Sequence, residues 1–491
     1  MSAPALSLAR IAIGSIWWSI VENGSLTAVS FAALIIFAKL LEPNDFGSYA
    51  VAVSVIEVAG IFTNMLFHDA LVREPKASDA HFNAAFTVSL LVSVVVFVIL
   101  LTIFPLLATL VGDPRIGDIG RVLGVGLLFE APASILNARL RKEFGFRLLA
   151  IRTLIGRTAG AAIGILAALQ GFGIWSLVIQ SLSMTILGST TLVVLSAWRP
   201  RLTRELRPLA DVLNYSVGAV TSLATNFATK RAFIFFAGVF LGVETVGFLN
   251  IAFRLVDTVW AITATAISQV MLPLMARMQH DRERLLRSYR TALAMGCILM
   301  FPIFVGIGCE ASELITVIFG TKWLPAAEPA FWLSLLVFVQ APRLFMTSLL
   351  SAVGEIESIR SVNLAVLAYM AIAITLTRLP DSGYALAVWS GSECLALVLL
   401  TILANRKCAI SSYEHLRILT GPVIASGLMA IVIGLTRQFL PHSQPGLSIA
   451  LLSAVGFVTY AGLSLLHAKD PLMLAVGLWR THRYRPPTTD S

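Results

Sequence analysis

With 491 residues, 57% of them hydrophobic, only 13% charged and a mean hydropathy of +0.85, the chain carries too little charge to coat a water-soluble surface, which takes about 25% charged residues. Apolar stretches recur from one end to the other, which excludes a cleaved secretory leader on a soluble body. The net charge of +9 has to be sorted by position before it can be read as a nucleic-acid signal.

A bilayer core about 30 Å thick takes about 20 helical residues per crossing. Stretches of that length run over 12–38, 46–68, 82–110, 117–138, 148–169, 174–197, 209–240, 246–275, 291–309, 329–353, 361–378, 383–404, 418–436 and 446–467. They predict an all-α polytopic membrane protein of about fourteen transmembrane helices. Continuous runs such as Leu90 to Leu101 lack the alternation that a barrel strand requires. Trp17 and Trp18 in the first stretch suit a cytoplasmic interface belt, and Trp175 and Trp323 an outer one. Gly156, Gly160 and Gly164 in the fifth form small-xxx-small steps that let another helix approach closely. Pro273 and Pro302 are placed to kink the eighth and ninth.

Of the 36 Lys and Arg residues, roughly 24 fall in the amino-terminal tail, the even-to-odd loops and the carboxy-terminal tail, with a dense run from Arg199 to Arg207. The opposite loops hold about six: Lys39, Arg115, Arg121, Lys322, Arg378 and Arg437. A ratio near four to one places both termini in the cytoplasm. The remainder, 36 minus 24 minus 6, is Arg152, Arg157, Lys230, Arg231, Arg254 and Arg343, all inside expected spans. A charge at membrane depth costs about 2.5–3.5 kcal/mol on insertion scales and usually faces a protein interior or a wet cavity.

Residues 31–57 can be laid on 231–257 without a gap, matching Leu41 with Leu241, Gly47 with Gly247 and Glu57 with Asp257. Both copies leave the cytoplasm, so they imply parallel halves related by an axis along the membrane normal, with a substrate site between them near the midplane. The expected organisation is a six-helix bundle over 1–198, a cytoplasmic linker over 199–208, a second six-helix bundle over 209–404, two further helices over 405–467 and a cytoplasmic tail over 468–491.

The chain contains no G-x-x-x-x-G-K-[ST] and no H-E-x-x-H, the patterns that would cradle phosphates or bind zinc. Cys297, Cys309, Cys394 and Cys408 are spaced for neither a metal nor a redox pair. The longest outer loop, about Glu310 to Glu328, leaves little room for a catalytic domain. No cofactor, metal or nucleic-acid partner is expected, and transport is favoured over catalysis. A membrane-bound glycan polymerase or ligase is the reading from another class.

Four pieces carry a resemblance: LeuLeuGluProAsnAspPheGlySerTyrAla (40–50), ArgLeuArgLysGluPheGlyPheArg (139–147), GlyPheGlyIleTrpSerLeuVal (171–178) and GlnValMetLeuProLeuMet (269–275). In this order and spacing the chain resembles the multidrug/oligosaccharidyl-lipid/polysaccharide exporter superfamily, and within it the Wzx-type flippases. The resemblance covers about Ile11 to His467. It implies two six-helix bundles plus two peripheral helices working by alternating access. The implied cargo is an undecaprenyl-pyrophosphate-linked oligosaccharide, moved from the cytoplasmic to the periplasmic leaflet of a bacterial inner membrane. Such a protein serves exopolysaccharide or O-antigen synthesis, with membrane lipids around it and a polysaccharide polymerase and chain-length regulator as partners. A multidrug or lipid exporter of the same superfamily is the alternative.

A pyrophosphate crossing the bilayer core needs a shielded cavity with fixed cations. Arg157, Lys230, Arg231, Arg254 and Arg343 are the candidates for it, while Arg152 lies near enough to the cytoplasmic end to snorkel. Lys230 and Arg231 are neighbours about 100° apart on a helix, so they face different surroundings. Arg254 and Asp257 have the spacing of an intrahelical ion pair. Glu22, Glu57, Glu130, Asp257 and Glu393 lie inside spans, either as counter-ions to these bases or as carriers of a proton or sodium ion that drives the cycle. A reporter fused after Ser491 is expected to work only if it functions in the cytoplasm; alkaline phosphatase activity there would reverse the orientation.

Overall fold

The computed structural model describes residues 28–278, 281–408, 410–439 and 445–467, and among them there is no β-strand. The helices are α1 (Ala28–Leu40), α2 (Pro43–Asn64), α3 (His68–Arg73), α4 (Asp79–Val111), α5 (Arg115–Lys142), α6 (Phe146–Leu169), α7 (Trp175–Leu195), α8 (Ala210–Leu241) and α9 (Val243–Arg277). They continue with α10 (Arg282–Cys309), α11 (Ala311–Ile318), α12 (Ala327–Leu335), α13 (Val337–Ala352), α14 (Ile356–Thr377), α15 (Ser382–Cys408), α16 (Ser412–Arg437) and α17 (Pro445–His467). Every stretch expected from residue 46 onward falls on a described helix. Eleven of the described helices are long and apolar enough to cross a membrane, or up to twelve if the pair α12–α13, bent by 43°, is one broken span. Trp17, Trp18, Glu22 and the tail from 468 lie outside the described residues.

Helix ends fall where the sequence can satisfy the backbone groups that a helix terminus leaves open. Glu42 and Asp45 form a capping box with Pro43 in the first turn of α2, and Ser78 with His81 does the same for α4. Gly112, at φ +80°, closes α4 in the left-handed conformation that costs a glycine little. Gly242, at φ +82°, separates α8 from α9.

The chain divides into two compact units, one comprising residues up to Asn250 together with Met370–Ala385, the other Ile251–Tyr369 with Leu386 onward. In the first unit α6 lies against α7 along its glycines. A Cβ on Gly156 would come within 2.9 Å of the Met184 carbonyl oxygen, and one on Gly160 within 2.9 Å of Met184 Cβ. The close approach expected from the glycine spacing is therefore made within this unit. α2 packs between α5 and α8.

In the second unit α10 is the central helix, with Tyr289, Cys297, Met300, Phe301 and Phe304 all buried. α16 and α17 fold onto it through Val305, Met429, Ile433, Leu452 and Tyr460. Tyr289 Oη meets His415 Nε2 at 2.7 Å, and Tyr460 donates to the Ile298 carbonyl at 2.9 Å. Trp323, expected in an outer belt, is instead fully buried. It sits in the short 3-10 turn Thr321–Ala326, whose compact geometry folds the ring inward. Trp175 is exposed, as the belt requires.

The first turn of α2 is tied to the α4–α5 turn by a cluster of charges. Arg115 bonds Asp113 at 2.9 Å and Asp45 at 3.0 Å, and Ser48 donates to Asp113. Burial raises the Asp113 carboxyl, but hydrogen bonds from Arg115 and Ser48 outweigh it and hold the group below the usual carboxylate range. A carboxyl with a depressed native pKa stabilises the fold above its unfolded value and loses that stabilisation as the pH falls through the native one. Asp113→Asn is therefore expected to lower stability in detergent at neutral pH by about 1–2 kcal/mol. The difference from wild type should fade as the pH drops below about 4, as a thermal-melt series will show.

Candidate functional site

In the first unit α2, α5 and α8 line a partly open cavity of about 210 Å³. Its charged lining is Glu57 from α2, Glu130 from α5 and Arg231 from α8, with Asn64, Phe227 and Leu127 completing the walls. The placement follows from helical periodicity: Glu57, Gly60, Ile61 and Asn64 recur every three or four residues and share one face of α2. Phe227 and Arg231, four apart, share one face of α8.

Arg231 forms an ion pair with Glu57. Glu130 faces the side chain of Asn64 and lies within the electrostatic reach of Arg152 and Glu57. The charge of Arg152, with the spacing of a snorkelling residue, thus acts inside this unit. Two carboxyl groups and one guanidinium line the cavity, with Arg152 close enough to Glu130 to act on it electrostatically. Lys230, adjacent to Arg231, does not line it.

The second unit holds a separate pair. Arg343 Nη1 lies 2.6 Å from Glu393 Oε2, between α13 and α15. The Glu393 side chain is 10% exposed and that of Arg343 24%. Arg343 follows Pro342 in α13, seven residues beyond the break at Leu336 between α12 and α13. Trp389, one turn before Glu393, packs edge-on against Phe253 with ring centres 5.3 Å apart.

The candidates from the sequence are thus distributed unevenly. Arg231, Glu57 and Glu130 come together in one cavity, and Arg343 meets Glu393. Arg157 on α6 donates to the Ser30 hydroxyl of α1. Arg254 and Asp257 both lie exposed on α9. Asn64 was not singled out by sequence, although its distance of seven from Glu57 puts it on the same helical face. Glu310, an outer-loop residue by sequence, is buried and accepts the Ser453 hydroxyl at 3.0 Å. Burial pushes its carboxyl up to about 7. No cluster of three metal-ligating side chains is found among the described residues.

Residues 36–328 match the family described as Polysaccharide biosynthesis protein. The chain belongs to that family. Its relatives include the succinoglycan biosynthesis transport protein ExoT of Rhizobium meliloti (strain 1021), 24% identical over 490 residues and 97% of both chains. Another is the lipopolysaccharide biosynthesis protein WzxC of Escherichia coli (strain K12), 19% identical over 65% of each. Among solved structures the chain is similar to the lipid II flippase MurJ in an inward closed conformation, with a TM-score of 0.78 and 14% identity over 93% of this chain and 100% of that one. A multidrug resistance MATE family transporter of the MOP superfamily, in an inward-facing conformation, gives 0.56 and 17% over 80% and 94%. The family shares a fold with transporters, and the relatives that carry a functional name are biosynthetic transport proteins or flippases, not enzymes.

Removing one partner of a buried pair leaves an uncompensated charge, at a cost of about 3 kcal/mol, whereas an apolar replacement of both partners is close to neutral. Glu393→Gln is therefore expected to lower the melting temperature in detergent. The double variant Arg343→Met/Glu393→Leu should recover most of the loss, and a double variant no more stable than the single one would show that the pair is not the source of the effect.

Proposed function

We propose that this protein carries an undecaprenyl-pyrophosphate-linked oligosaccharide repeat unit from the cytoplasmic to the periplasmic leaflet of a bacterial inner membrane, in the synthesis of an exopolysaccharide or O-antigen. The observation that carries this reading is the end-to-end likeness to a succinoglycan biosynthesis transport protein, 97% of each chain. The cavity of the first unit, lined by Arg231 beside Glu57 and Glu130, supports it.

The cargo's difficulty lies in its head. Two or more phosphate charges and a polar glycan have to pass hydrocarbon, while the lipid tail stays in it. Arg231 offers a forked cation of the geometry that phosphate oxygens accept. Glu57 is paired with that cation, so the anion binds by exchange: pyrophosphate takes Glu57's place on Arg231. The released carboxylate then needs a new counter-charge, which a proton or a sodium ion supplies, and this ties cargo binding to an ion gradient. Arg157, Lys230, Arg254 and Arg343 are the further bases of this reading, and Arg343, held by Glu393, becomes available to an anion only by the same kind of exchange. Both termini are cytoplasmic in this reading, and a polymerase and chain-length regulator consume the product on the outer side.

A deletion strain is expected to accumulate the lipid-linked oligosaccharide in the cytoplasmic leaflet and to stop making polymer. Alanine at Lys230, Arg231 or Arg343 should cut polymer output by about tenfold or more at normal protein levels, the loss that one charge-assisted hydrogen bond of about 1.5–3 kcal/mol gives. Unchanged export in all three variants would sink the exchange mechanism. Normal polymer in the deletion strain combined with drug hypersensitivity would move the protein to multidrug export.

A further inference from the structure

The segment between α7 and α8 is held to the first unit at several points. Arg199 folds back and donates to the carbonyls of Val193, Val194 and Ser196 at the end of α7. The backbone N–H of Arg201 bonds the Asn83 side chain at 2.9 Å, and that of Thr203 the Thr87 hydroxyl at 3.1 Å, both on α4. At the start of the segment the Arg139 guanidinium of α5 lies 5.0 Å from the Trp198 ring and 5.4 Å from that of Phe82.

These anchors set the depth of the segment. Leu91 on α4, and Val194 and Leu195 on α7, are exposed apolar residues, so the lipid-facing surface reaches at least as far as they do. At 1.5 Å per residue, Thr87 and Asn83 lie about 6 and 12 Å from Leu91 along α4. A headgroup layer is about 5–8 Å thick on each side of the hydrocarbon. Thr203 therefore lies within that layer, and Arg201 at its outer edge, a side chain's reach away. Arg201, Arg204 and Arg207 are exposed and make no ion pair among the described residues. Interleaved with them, Leu202 is 70% exposed and Leu206 44%. In an interface the leucines bury apolar surface while the arginines reach phosphate oxygens. Orientation by the basic residues needs only their charge; it accounts neither for the bonds that hold the segment at this depth nor for the exposed leucines.

We infer that residues 201–207 form a docking surface for anionic phospholipid headgroups in the adjoining leaflet. Arg201, Arg204 and Arg207 hold the phosphates, and Leu202 and Leu206 enter the boundary with the acyl chains. The orientation set by the basic residues makes this the inner leaflet. The inference is independent of the cargo and of the Glu57–Arg231 cavity.

The test uses the full-length protein with its four cysteines replaced by alanine, in phosphatidylcholine nanodiscs, with a fluorophore on Leu202→Cys. Phosphatidylglycerol carrying a headgroup-level spin label is expected to quench it at about a tenth of the mole fraction that equally labelled phosphatidylcholine requires, since each arginine at a membrane surface favours an anionic headgroup by about fivefold. Raising the salt from about 0.1 to 1 M shortens the screening length from about 10 to 3 Å and should narrow that gap. The combined variant Arg201→Gln/Arg204→Gln/Arg207→Gln should close it. A fluorophore on Phe172→Cys, an exposed position of the α6–α7 turn with no Lys or Arg between 158 and 198, should be quenched equally by both lipids. Equal quenching by the two lipids at Leu202 in the otherwise unaltered protein overturns the inference and leaves the arginines to orientation alone. Quenching by neither lipid overturns it by placing the segment in water. A gap that survives the glutamine variant overturns the assignment to these arginines, and a gap abolished by millimolar inorganic pyrophosphate at constant ionic strength shows a small-anion site instead. The readout needs neither cargo nor polymer, so it fails or succeeds separately from the transport reading.

Discussion

Hydrocarbon offers no hydrogen bonds, and every feature of this chain answers that constraint. Backbone groups are satisfied within helices, so the polar groups that remain to be placed are side chains. Several of the charged ones are found bonded to an opposite charge. Arg231 has Glu57, Arg343 has Glu393, Arg115 has Asp45 and Asp113, and Arg437 has Glu313. Arg231–Glu57, Arg343–Glu393, Arg115–Asp45 and Arg437–Glu313 each join helices that are distant in sequence. Each thereby fixes which helices become neighbours, a choice that apolar side chains facing lipid or one another make only weakly.

Where backbones must meet without side chains between them, glycine does the work. Gly156, Gly160 and Gly164 bring α6 against α7, and this was legible because a spacing of four on one helix leaves few other uses for small residues. The spans were legible for an equally plain reason: a bilayer imposes one length and one polarity. Which base would meet which acid was not. Glu57 and Arg231 are 174 residues apart, and nothing local marks them as partners. Arg254 and Asp257 had the better local pattern, three residues apart, and both ended on an exposed face of α9. Spacing on one helix reports what shares a face, and only packing decides what that face meets.

Arg115 shows the same limit from the other side. As one of few outer charges it gave a count for topology. In the structure it is the centre of a network with Asp45, Ser48 and Asp113. Glu310 likewise belongs to a loop by sequence and to an interior by packing, because α11 and α17 close over the end of α10. Trp323 is buried in the same region, so the segment after α10 is a folded cap. Composition alone does not separate a compact turn from an open loop when both are rich in aromatic and small residues.

The pairing of the deep charges has an electrical consequence. A lone arginine carried across the membrane potential exchanges about 2.3 kcal/mol for each 100 mV it traverses, whereas an arginine that travels with its carboxylate is a dipole and exchanges almost none. The Glu57–Arg231 and Glu393–Arg343 pairs therefore let the helices that carry them shift without the potential favouring one arrangement over another. For these two pairs, voltage acts on a charge that enters and separates the partners, and not on the intact pair.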